Sequence, residues 1–171
     1  MPALRTLSRL PQHPRRTVRA VLYMNEENGL RGARAYAKAH AGELGKHVAA
    51  LEMDSGAGRP LALGLPASRN AHALFAPWLA PLRTLGINDV STGSHGGADI
   101  GNLGRQGGVP MVDVRQDSSR YFDWHHSAAD TLDKVDPREL AESAAALTWV
   151  AYALAESEAT LDRATPNAET H

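Results

Sequence analysis

The chain predicts an α/β fold, a three-layer α/β/α sandwich around a mostly parallel, mixed sheet. Apolar, β-type runs alternate with stretches of helical spacing in the order β-α-β-α-β-α. Two of those runs break off at acids, Glu26-Glu27 and Asp54, as strands do where they meet a cleft. A length of 171 residues, 43% hydrophobic and 22% charged, suits one domain with a sizeable core.

Composition also excludes classes of function. A net charge of −1 gives no basic field to attract nucleic acid or anionic lipid. No apolar run approaches the length of a membrane span. With no cysteine, any metal must be held by carboxylates and the eight histidines. Residues 2–16 lack an apolar core and carry four arginines, unlike a secretory signal.

In chain order, Leu4, Leu7 and Leu10 form one face of a short helix that Pro11 and Pro14 stop. Residues 1–14 are expected to be poorly ordered. Residues 17–24 read as a buried strand running into Asn25-Glu26-Glu27-Asn28-Gly29. Adjacent glutamates there can divide the work, one binding a cation and one handling a proton. Alternatively, they form a solvated turn whose acids favour the following helix. That helix spans about 30–44, with Ala33, Tyr36, Ala37 and Leu44 as its packing face. His40, His47 and His72 read as surface or structural residues.

Residues 47–53 form the second strand and end at Asp54-Ser55-Gly56. A β-α-β unit brings its two strand ends to one sheet edge, so Glu26, Glu27 and Asp54 should cluster. Crowded carboxylates are costly unless a cation compensates them. Residues 56–66, rich in Gly and Pro, suggest a short strand or loop crossing the sheet edge. Residues 70–85 read as a helix that Pro77 and Pro81 kink or shorten.

The stretch Ser94-His95-Gly96-Gly97-Ala98-Asp99-Ile100 has glycines but no following Lys-Ser or Lys-Thr, so nucleotide binding is set aside. It reads as a tight turn that lets backbone approach a ligand. Residues 107–114 are a third strand. His125-His126, flanked by aromatics and followed by Asp130, suit a metal ligand with a supporting carboxylate, or a core histidine bonded to a carbonyl. Asp136-Pro137 caps a final helix whose stripe is Leu140, Ala144, Leu147, Val150, Ala151 and Leu154. Residues 159–171 should fray.

Taken together, Glu26-Glu27-Asn28-Gly29, Glu52-Met53-Asp54-Ser55-Gly56, Gly96-Gly97-Ala98-Asp99 and His126-Ser127 leading to Asp130-Thr131 occur in a telling order. Over roughly residues 15–156 the chain resembles the dizinc exopeptidases, in their aminopeptidase and carboxypeptidase Q-like branch. The resemblance implies a single, partial metallopeptidase catalytic domain over 1–171 acting on peptide substrates. It implies Glu26 as general base, Glu27 and His126 as ligands of one zinc, and Asp54 as ligand of the other. It leaves His125 beside a ligand, Asp130 to orient the His126 ring, and His95 and Asp99 as contacts to a substrate terminus.

The family site also uses an upstream histidine and a bridging aspartate, and residues 1–17 contain no Asp. The resemblance therefore implies an N-terminally truncated domain: a fragment, a mis-assigned start or a degenerate gene. Such a chain would hold one zinc or none rather than the family's two. It would leave a sheet edge through which it could form homo-oligomers. Full-length relatives are often secreted or periplasmic. Two other readings stand beside the exopeptidase: an inactive α/β module that binds or self-associates, and a single-metal acyltransferase of the glutaminyl-cyclase kind. An upstream reading frame carrying the missing His and Asp favours the peptidase over the inactive module. Cyclisation of N-terminal glutamine would mark the acyltransferase.

Overall fold

The computed structural model describes residues 2–163. The expectation of a fraying tail lies, from residue 164 onward, outside the described residues. The elements in order are α1 (Pro2–Leu7), α2 (Arg31–Ala39), a 3-10 turn (Ala41–Lys46), β1 (Ala50–Glu52), β2 (Pro60–Leu65) and α3 (Ala71–Phe75). They continue through a 3-10 turn (Ala76–Trp78), α4 (Leu79–Thr84), β3 (Asp89–Thr92), α5 (Gly101–Gly107) and β4 (Met111–Gln116). The last are α6 (Tyr121–Trp124), a 3-10 turn (Leu132–Lys134) and α7 (Pro137–Glu156).

The sheet runs β1-β4-β2-β3. β1 with β4 and β2 with β3 are parallel, and β4 joins β2 by an antiparallel seam. Side chains alternate across it. Leu51, Leu63, Leu65, Val112 and Val114 enter a core with α3, α4 and α7, through Leu74, Phe75, Leu82, Ala146 and Val150. Ala50 and Met111 face the other way, against Ala37 of α2, Leu44 and Leu103 of α5. The predicted three layers and mostly parallel sheet are present.

Several elements depart from the sequence reading. Residues 17–24 are extended but are not a strand. Among the described residues none of their amides donates to a main-chain carbonyl, and only the Met24 carbonyl accepts, from Gly32 N at 2.9 Å. Apolar pattern gives a chain its tendency to extend, but a ladder needs a neighbour at hydrogen-bonding distance. Leu22 and Met24 are each 74% exposed. Of the two readings of the Gly- and Pro-rich stretch, the strand is present but not at the edge: it is β2, an inner strand with Leu63 and Leu65 fully buried. Pro60 sits at the strand's first residue, beside a register shift, where its missing donor does least harm. Gly64 lies opposite Asp113, and a Cβ there would run into that carboxylate. β3 and α5 form where the sequence reading placed no strand or helix.

Helix boundaries follow local chemistry. Asp136 caps α7, its Oδ1 accepting from Arg138 N at 2.7 Å and Glu139 N at 3.4 Å. Pro77 and Pro81 divide the 70–85 stretch into α3, a 3-10 turn and α4. Of the predicted α7 stripe Val150 is fully buried and Leu154 packs against the core, while Leu140 is 47% exposed; the rest of the buried side is Ser143, Ala146, Ala153 and Ala155. Small residues let the helix approach the sheet, and Ser143 Oγ donates to the Gly58 carbonyl at 2.8 Å. An apolar groove of about 760 Å³ between α1 and α7 holds none of the residues singled out for chemistry. Among the described residues no helix is long and apolar enough to cross a membrane.

Phe75 is fully buried between α3 and the sheet. Phe75→Ala should cost about 3–5 kcal/mol, read as a fall in urea midpoint, whereas Leu140→Ala on the open face should cost under about 1 kcal/mol.

Candidate functional site

The turn after residues 17–24 is tight because several residues take left-handed backbone: Asn25 at φ 63°, Gly29 at 92° and Leu30 at 56°. The Glu26 carbonyl accepts from Gly29 N (3.0 Å) and Leu30 N (2.8 Å), and Asn28 Nδ2 donates to Asn25 Oδ1 at 2.5 Å. α2 begins at Arg31, and the coil leaves Glu26 half-buried and Glu27 exposed. For Leu30 a positive φ is uncommon and stores strain of order 1–3 kcal/mol, as tends to happen where a loop must aim side chains.

Another positive φ that bears on the site is that of His126, at 56°, just past α6. His125 N donates to the Tyr121 carbonyl (3.0 Å) and Ser127 N to the Trp124 carbonyl (2.9 Å), closing the turn on both sides. The His125 and His126 rings stack at 3.8 Å, and His125 rests on Tyr121 at 4.5 Å. At the end of this aromatic column His126 Nε2 meets Glu27 Oε1 at 2.8 Å, a contact spanning 99 positions of chain.

Asp54, exposed two residues beyond β1, completes the acidic ground. Loss of hydration raises Glu26 above the usual carboxylate range, and the charges of Glu27, Asp99 and Asp54 add to this while His126 opposes it. Burial raises Asp99 too, and Asp54 adds to it; Asp99 Oδ1 is buried without a partner among the described residues. The structure thus brings Glu26, Glu27, His126, Asp54 and Asp99 to one edge. It keeps others apart. His95 is exposed and, among the described residues, makes no side-chain hydrogen bond. No hydrogen bond or ion pair joins Asp130 to His126 among the described residues; Glu27 takes the place at Nε2. His125 stacks and makes no polar side-chain contact there.

Imidazole nitrogen and carboxylate oxygen are the donors zinc takes when thiolate is absent. Glu27 and His126 fit in chemistry and in mutual approach. The number does not fit: among the described residues no three His, Asp or Glu side chains converge on a cation position.

Sequence reasoning assigned no role to three residues here. Glu52 at the end of β1 accepts from Ile100 N (2.9 Å) and Asp99 N (3.3 Å). Its signal was an acid on the inward face of a short strand, two residues before Asp54. Tyr121 lies beneath the histidines, its phenol raised by burial and then by Asp54, Glu27, Asp130 and Glu26. Tyr23 packs edge-on to Tyr36 at 5.8 Å. Its burial, then Tyr36, Asp99 and Glu52, push its phenol up to about 12.

A family model described as Peptidase family M28 matches residues 1–151. Carboxypeptidase Q of Rattus norvegicus is 36% identical over 161 residues, and that of Homo sapiens 35% over 162. Each alignment covers 94% of this chain and 34% of the relative. The chain therefore spans about a third of the length of the curated relatives it matches. The crystal structure of a peptidase M28 precursor from Shewanella amazonensis SB2B superposes with a TM-score of 0.91 at 38% identity, over 97% of this chain and 37% of that one.

Tyr23 gives a pH test. A folded pKa of about 12 against an unfolded ~10 means its stabilisation is whole below pH ~10 and is lost as pH climbs towards 12. Thermal melts from pH 9 to 12 should show that loss, and Tyr23→Phe should flatten it, leaving the part due to Tyr121.

Proposed function

The chain belongs to peptidase family M28, and from that membership we propose that it forms part of a zinc-dependent exopeptidase domain that hydrolyses a terminal peptide bond. The observation that carries this reading is the 2.8 Å approach of His126 to Glu27, directly beside Glu26. A metal site needs side-chain donors brought within reach of one another, and a general base needs to sit next to them without being consumed as a ligand. Residues 26, 27 and 126 meet both needs.

In this reading Glu27 and His126 hold one zinc and Asp54 contributes to a second. The remaining donors in this reading are the upstream histidine and bridging aspartate that the family resemblance implies. Zinc, when bound, supplies a Lewis acid and a water acidic enough to be a nucleophile near neutral pH. Glu26 takes the proton from the attacking water and returns it to the leaving amine. Its raised proton affinity suits that double duty, since a base of very low pKa would neither accept nor hold a proton. Asp99 and His95, on the glycine loop, contact the substrate's terminal amine or carboxylate.

A second reading is favoured by one observation, the absence among the described residues of three converging donors. A catalytic zinc usually has three protein ligands. By that account the chain alone is an inactive α/β module that binds or self-associates.

Zinc titration of the purified chain separates the two. The peptidase reading expects binding at one or two equivalents that Glu27→Ala and His126→Ala both remove. Glu26→Gln should keep the metal and lower peptide hydrolysis by about 10²–10⁴-fold. Zinc binding no better in the parent than in those two alanine variants would sink the peptidase reading for this chain.

A further inference from the structure

Glu52 stands apart from the residues given a part in hydrolysis, yet its carboxylate is the link between two pieces of the site. It is the last residue of β1, two before Asp54, and it shares its sheet face with Ala50, towards α2 and α5. Both its oxygens are used. Oε2 accepts from Ile100 N at 2.9 Å and Oε1 from Asp99 N at 3.3 Å. These are consecutive amides of the glycine loop just before α5. Gly97 lies over the same carboxylate, and a Cβ on it would collide with Oε1. Only a glycine lets the loop close down so far.

We propose that Glu52 is a positioning residue: its carboxylate latches residues 96–100 to the end of β1 and so fixes Asp99 beside Asp54 and Glu26. This rests on the reading of Asp99 as a contact to a substrate's free amine. A loop bearing one acid would be pushed away by the others at this edge. Two amide bonds to a fixed carboxylate hold it against that repulsion. Burial raises the Glu52 carboxyl, and the two amides pull it back towards the charged form. A helix cap would need no such neighbour as Asp54. The latch instead makes one strand end responsible for the placement of two acids.

The test is amide exchange by NMR on the 171-residue chain, with leucinamide as the free-amine probe. Glu52→Gln keeps the size and one acceptor. It should speed exchange at Asp99 and Ile100 by about tenfold or more, with Val112 and Val150 unchanged. It should weaken leucinamide binding, as Asp99→Asn does, and the double variant should lose little more than either alone. Should Glu52→Gln perturb the whole fold, Gly97→Ala tests the same latch from the loop side and should speed the same two amides. Unchanged exchange at Asp99 and Ile100 in both variants overturns the latch. So does faster exchange with leucinamide binding intact while Asp99→Asn abolishes it. If leucinamide binds neither parent nor variants, the reading of Asp99 as an amine contact fails, and the exchange rates alone decide for or against the latch.

Discussion

The antiparallel seam between β2 and β4 is the constraint on which the rest of the structure depends. Without it the sheet is two separate parallel pairs, β1 with β4 and β2 with β3. The seam lets β4 turn Val112 and Val114 into the core under α7 while Met111 faces the second cluster around α2 and α5. It also sets one row across all four strands, Glu52, Asp113, Gly64 and Ser91. That row is polar on the face away from α7. Arg115 ties it together, donating to Asp113 Oδ2 at 2.7 Å and to Ser91 Oγ at 3.0 Å. Ser94 adds a hydrogen bond to Asp113, which anchors the loop after β3 from its other end.

The site inherits its electrostatics from that geometry. Glu26, Glu27, Asp54, Asp99 and Glu52 meet at one edge, and His126 is the imidazole in direct contact with one of them, Glu27, among the described residues. The upward shifts of Glu26, Glu52 and Asp99 have burial as their first cause and neighbouring carboxylates as an added one. An exposed imidazole–carboxylate contact such as that of His126 with Glu27 contributes at most about 1 kcal/mol in water, even as an ion pair. The pair therefore does not hold the loops; the strained turns at Leu30 and His126, with their main-chain bonds, do. Placement comes from backbone, and charge is carried on it.

How much of this the sequence declares depends on how local the cause is. Asp136-Pro137 announces the start of α7 because a cap is a matter of three consecutive residues. Pro77 and Pro81 announce a broken helix for the same reason. The nearness of Glu26, Glu27 and Asp54 was expected from a β-α-β unit whose first strand the structure does not form; the extended run still brings the two glutamates near Asp54. That of His126 came from a family resemblance, not from spacing. The inner position of β2 was hidden because Gly64 makes sense only opposite Asp113, 49 residues on. Residues 17–24 have the composition of a strand but no partner among the described residues, and composition cannot report a missing neighbour. Glu52 looked like a strand-end acid until the loop that it binds was in place.

That unpartnered stretch has one more consequence. Endoproteases read their substrates as extended chain with free amides and carbonyls, which most folded proteins supply only after local unfolding. Residues 17–24 already have that form, with Leu22 and Met24 turned to solvent. Cleavage there would sever α1 from the Glu26-Glu27 turn without first opening the core. The lifetime of this chain in a protease-rich setting is thus set less by its global stability than by whatever covers those eight residues.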